Sequence, residues 1–400
     1  MTPKESESVI QHWVENCAAV CDLEMLAAPP SPPRSHGFRM PNPSKLYPET
    51  YRTRNMHHAG VFVDTLDLPP AIDDEVRRIL GVDSWEDRVV ATVYEPETAT
   101  YLTGLATAFQ TGSRTNARMC SLEGNWKASL FGLVRSLEDL WPGALRATVS
   151  KMAWNPDLKP TGPSLDGFQN QDHGGTRTPP SAPPSASAQT ASYTQSVAST
   201  TSTEAADPYH ISTPKPDITI GLANTAFLRR HLRRLDDHQA SGSILSDPHA
   251  SIMGLRFPFL IVEAKGLDGS LSAQNKAAVS GASMLTILKD LSYQAACNAG
   301  SNSDCGFQTL DPKLTSPSTT PPAPQSIPTL CFSMVTAGPV HELWVHFEHE
   351  GAFHMEFIQL WRTTRERDAR EFVHVLARIM EWGRGRFKDC IVEKLDKLAR

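Results

Sequence analysis

Two short acidic motifs carry the chemistry that can be read from this chain. Glu263-Ala264-Lys265 closes the apolar run FPFLIVEAK (257–265), and Asp217 follows Pro216 at the head of DITIGL (217–222). Successive strand residues alternate between faces, so Phe259, Ile261, Glu263 and Lys265 are expected to project together. The run stays apolar until its end, then sets a carboxylate beside an ammonium. Burying such charges without partners is costly, which puts them where a sheet meets a cleft. Pro214 and Pro216 bar a helix and let the second strand begin at the acid. If the two strands pair, Asp217 and Glu263 converge on one cation. Oxygen donors suit Mg²⁺ (or Mn²⁺), and Mg²⁺ commonly takes only one or two protein carboxylates and leaves its other positions to water and phosphate. Lys265 would orient or help deprotonate the attacking water while the cation polarises phosphorus.

The surrounding pattern supplies elements to hold these groups. Apolar residues Trp126, Leu130, Leu133 and Leu137 recur at helical spacing after Ser121, with Glu123 one turn earlier. A helix over 271–291 begins near Gln274, and its small residues Ala277, Ala278, Gly281 and Ala282 permit close approach to a sheet. Strands are expected at 330–336, 343–348 and 353–361. A closing helix follows, with Thr363 and Glu366 spaced as a capping box. Helices are also expected at 7–26, 70–80 and 97–110. LRRHLRRLDDHQ reads as a helix inserted between the two acidic strands. On it Arg229, Arg230, Arg233 and Arg234 form a basic face that either holds phosphates near the cleft or is a solvated surface partly neutralised by Asp236 and Asp237. His341, His346, His349 and His354 have no standard ligand spacing and are read as packing or surface residues.

Pro216-Asp217 followed by Glu263-x-Lys265 resembles the signature of the PD-(D/E)XK nuclease superfamily. FPFLIVEAKG followed by AQNKAAVSGASML is similar to nuclease-like domains of fungal proteins. The resemblance implies an α/β (α+β) fold with a restriction-endonuclease-like αβββαβ core around a central mixed sheet. It implies metal ligation by Asp217, Glu263 and the backbone carbonyl of Ala264, with Lys265 as the catalytic lysine. Glu123 would match the acid of the first core helix, and Gln274 the polar residue lining the site. The activity implied is metal-dependent hydrolysis of nucleic acid, DNA first. The alternative is a catalytically silent scaffold that binds nucleic acid or protein. One departure is the long stretch between Asp217 and Glu263, wider than a tight hairpin needs.

Composition sets the limits. The 400 residues carry 40% hydrophobic and 20% charged side chains, ordinary for a globular chain with a real core. Net charge of −6 excludes a polycation but not an enzyme with a local basic patch. Seven scattered cysteines without a CxxC pair favour a reducing interior, nucleus or cytoplasm. The polar start lacks a signal-peptide core, and no apolar run suggests a membrane partner. The 31 prolines concentrate in Ser/Thr/Pro-rich stretches. Such stretches lack the apolar surface to offset ordering entropy, so disordered inserts are expected at 156–208 and 298–328. The expected organisation is an N-terminal helical extension over 1–118 and a nuclease-like domain over 119–400.

Overall fold

Seven strands gather into one mixed sheet in the computed structural model, which describes residues 47–85, 94–150, 152–161, 209–265, 269–299 and 329–398. The strands are β1 (Val61–Val63), β2 (Leu145–Thr148), β3 (Ile218–Ala223), β4 (Leu255–Lys265), β5 (Leu330–Ala337), β6 (Val340–His349) and β7 (Ala352–Arg362). Their spatial order is β1-β7-β6-β5-β4-β3-β2. β1 runs parallel to β7 and β4 parallel to β5, and the other pairs are antiparallel. A parallel pair needs a long crossover, and the helix between β4 and β5 provides it. β4 is central and buried on both faces, as its unbroken apolar run requires.

Seven of the helices among the described residues cover the sheet: α1 (Pro70–Leu80), α2 (Pro96–Arg118), α3 (Glu123–Glu138), α4 (Arg229–Ser241), α5 (Ser270–Ala299), α6 (Glu366–Trp382) and α7 (Lys388–Lys397). α5 lies across β4, β5, β6, β7 and β1, whereas α6 packs with α1 and α2. Along β5, Phe332 and Met334 enter one hydrophobic cluster while Cys331 and Val335 enter another. The two sets alternate, so each belongs to one face of the sheet. Among the described residues no helix is long and apolar enough to cross a membrane.

The described part of the first 118 residues is not a wholly helical appendage. All described residues fall within one compact unit, 43–400, and β1 adds a strand to the sheet through β7. The tripeptide VFV is too short for its period to announce a strand. The expected helix at 7–26 and most of both proline-rich inserts lie outside the described residues. Thr363 does not cap α6. Its hydroxyl is buried and bonds instead to Pro339 O, Ser113 Oγ and His341 Nε2. That network ties α2 to β6 and draws the hydroxyl away from the helix start.

Close packing of α5 depends on Gly281. A Cβ there would drive into the His346 imidazole, which is itself fixed by a 2.7 Å bond to Ser333 Oγ. Gly281→Ala gains about 1 kcal/mol of helix propensity. Overpacking against a buried, hydrogen-bonded ring costs about 1–3 kcal/mol. The expected net result is a lower urea midpoint at unchanged slope, and a higher midpoint would contradict the close approach.

Candidate active site

β3 and β4 pair with Ile218 opposite Val262, and the Asp217 amide donates to Val262 O at 3.0 Å. This register sets Asp217 across from Glu263 at one end of the sheet. The pairing survives the long connection because α4 and the loop after it are accommodated at the other end. A register shift at Gly221 helps the strands fit, since any Cβ there would collide with Arg256 O and Leu255.

Asp217 is held from two sides. Its Oδ2 accepts the Ala264 amide at 2.9 Å and its Oδ1 accepts Lys127 Nζ at 2.7 Å. The amide of Ala264, beside the carbonyl expected as a ligand, thus orients the first acid. Glu263 is 1% exposed, and its Oε1 has no hydrogen-bond partner. Burial, then the charge of Asp217, pushes its carboxyl from 4.5 up to about 8. Lys276, Lys265 and Lys127 oppose that shift without cancelling it. An unpartnered buried carboxylate is costly to keep and is a mark of a functional site.

Lys265 and Glu123 also meet here. Lys265 Nζ lies 3.3 Å from Glu123 Oε2 and 3.4 Å from Oε1, so the strand-end lysine and the helix acid form an ion pair across the site. Asp217, Glu263, Lys265 and Glu123 therefore come together as expected from the sequence. Among the described residues no group of three or more His, Cys, Asp or Glu side chains is arranged to hold a metal. Lys127 escaped the sequence reading. Its signal was its spacing of four from Glu123, which puts both on one face of α3.

Gln274 turns elsewhere. Its Nε2 donates to Glu342 Oε2 at 2.9 Å, and its Oε1 accepts Arg52 Nη2 at 2.9 Å. Glu342 also accepts Trp344 Nε1 at 3.0 Å, and burial raises its pKa. Because Val335 pairs with both Glu263 and Glu342, this second acid lies on the same sheet face two strands away. Arg52 and Glu342 were not singled out by sequence.

The four arginines are not brought to the acids. α4 follows the C-terminal end of β3, whereas Asp217 precedes its start, so a strand length of about 17 Å lies between them. Arg230 pairs with Asp396 at 3.2 Å and Arg234 donates to Leu395 O at 3.2 Å. Arg229 and Arg233 face solvent there. The histidines His341 and His346 are fully buried, and burial pushes both down to about 3, so they pack as neutral rings.

Comparison with known proteins adds one match: a family described as "Domain of unknown function (DUF7924)" matches residues 180–305. That segment contains β3, α4, β4 and all of α5, hence Asp217, Glu263 and Lys265, but fewer than half of the 400 residues. No curated protein and no solved structure matches the chain. The chain is thus similar, over its acidic strand pair, to a domain family whose description states no activity.

Proposed function

We propose that this chain is a divalent-metal-dependent nuclease that hydrolyses phosphodiester bonds of nucleic acid, DNA before RNA. The observation that carries the reading is Asp217 set opposite Glu263, with a buried carboxylate oxygen that has no protein partner. The order α3-β2-β3-β4-α5-β5 supports an αβββαβ core of the restriction-endonuclease-like kind, with α4 as an insertion between paired strands.

The residues fit a hard cation. Two carboxylates suffice for Mg²⁺, and the orphaned Glu263 Oε1 is an oxygen that otherwise lacks a counterpart. Asp217 and Glu263 would hold it, with the Ala264 carbonyl as a third donor. When bound, the cation would polarise the phosphoryl group and make water a better nucleophile. Lys265 holds a positive charge at the strand end and can orient that water, with Glu123 fixing the ammonium. Lys127 and Lys276 offer nearby positive charge for backbone phosphates.

The test is cleavage of single- and double-stranded DNA and RNA with Mg²⁺ or Mn²⁺, comparing the native chain with Asp217→Asn. Metal-dependent cleavage that disappears in the folded variant is expected. Equal cleavage by both, or none by the native chain on any of the four substrates, overturns the reading. The Lys127–Asp217 bond favours one alternative, a scaffold whose acid is permanently neutralised by an ammonium. It binds nucleic acid or protein without turnover, and its binding is indifferent to Mg²⁺.

A further inference from the structure

A second charged cavity, unused by the proposed chemistry, opens between α1, the end of α6 and the π-helical turn Gly383–Phe387. Its volume is about 360 Å³, at the small end of ligand sites. Arg78, Arg378, Arg384 and Arg386 line it against Glu75 and Glu381, beside Trp382. Four guanidiniums and two carboxylates leave two positive charges in excess.

The carboxylates hold the arginines apart without saturating them. Glu75 is 1% exposed and pairs with Arg78 and, at 3.7 Å, with Arg386. Glu381 lies 3.5 Å from Arg378 and 3.7 Å from Arg384. These three separations are longer than a charge-assisted bond of about 2.7–2.9 Å. Both carboxylate oxygens of Glu75 lack a hydrogen-bond partner beyond these ion pairs, and Nε of Arg378, Nε of Arg384 and the indole Nε1 of Trp382 are buried without one. The last three are donors. The net positive charge of the lining calls for an anionic ligand.

Two of the arginines are also held in place by aromatic rings. Arg384 lies over the Trp141 ring at 5.0 Å, and Arg378 over the Tyr94 ring at 5.9 Å. Stacked guanidiniums are fixed planes, suited to forked contacts with phosphate oxygens. Trp382 packs edge-on against Phe259 and Phe332, both upstream of Glu263 and its partner Val335 on their strands. The cavity is therefore separate from the acidic pair.

The geometry points to a binding site for a phosphate-bearing small molecule, of pyrophosphate to mononucleotide size. A concave volume this small admits a compact anion and not the length of a nucleic-acid backbone. The oxygens would accept from Arg378, Arg384 and Arg386 and displace their long contacts to the carboxylates.

The experiment titrates the full chain in metal-free buffer with inorganic pyrophosphate, ADP and a 5′-phosphorylated oligonucleotide. Calorimetry and tryptophan fluorescence read the binding, the latter through Trp141 and Trp382. Saturable binding of pyrophosphate or ADP is expected. Arg384→Gln and Arg386→Gln should each weaken it about tenfold. Glu381→Gln should tighten it severalfold by removing a competing negative charge. These side chains are 37–40% exposed, so circular dichroism and melting temperature should match the native chain. Asp217→Asn should leave the affinity unchanged. No saturable binding of pyrophosphate or ADP overturns the inference, as does affinity indifferent to the arginines or lost with Asp217→Asn. Binding of the oligonucleotide alone overturns it too, since the surface would then contact nucleic acid.

Discussion

Glu263→Gln is expected to yield a folded protein more stable than the native chain at pH 8 and at least about a thousandfold slower in cleavage. The two effects share one cause. Glu263 is buried beside Asp217, and its carboxyl is pushed from 4.5 to about 8. A folded-state pKa above the unfolded value means that the native state binds the proton more tightly. Stability from this group is complete below about 4.5 and is lost as pH rises through about 8. Gln has the same shape and cannot ionise, so the variant escapes that loss.

Other groups titrate in the same window and must be separated. Glu356, pushed up to about 7 by burial, has the same sign as Glu263. His341 and His346, pushed down to about 3, have the opposite sign, because only their unfolded forms take up protons near pH 6. All three remain in the variant. The informative quantity is therefore the difference between native and variant unfolding free energies in metal-free urea titrations at pH 5 and pH 8. That difference should grow toward pH 8 by a few kcal/mol. Parallel pH profiles would mean that Glu263 does not carry a suppressed charge, and the main support for a cation site would go with it.

What could be read from the sequence was whatever local spacing encodes. The unbroken run FPFLIVEAK specified a central strand with charge at its end, and the structure has it as β4. The period of α3 was equally clear in Trp126, Leu130, Leu133 and Leu137, all buried. β2 escaped because LRAT is four residues long with one exposed position, too little to show a period. The arginine face of α4 was visible as a helix, but which end of β3 it adjoins is a matter of chain direction, and that put it far from the acids. Gln274 was placed correctly on α5. Its partner Glu342 arrives from β6, 68 residues away, through sheet register that local pattern does not reveal. The same holds for the second cavity, whose arginines come from α1 and from α6 with its π turn, brought together only by packing.

Lys127→Met separates a cation site from a structural ion pair. The Lys127–Asp217 contact is 2.7 Å long, with side chains 23% and 18% exposed, so water screens it only in part. Without the ammonium, Asp217 keeps the Ala264 amide but faces Glu263 with less compensating charge. Two adjacent carboxylates resist ionising together. Breaking a fully buried pair costs about 3–5 kcal/mol, and partial exposure reduces the expected loss here to about 2 kcal/mol in metal-free buffer. The loss should nearly vanish in an Asp217→Asn background, because the cycle isolates the contact between the two groups. Mg²⁺ should then stabilise Lys127→Met more than the native chain, since a bound cation replaces the missing charge and binds the folded form alone. A scaffold that never takes a metal predicts the same loss and the same cycle, but no recovery with Mg²⁺. The recovery is thus the part of the experiment that bears on function, and it can be measured before any substrate is identified.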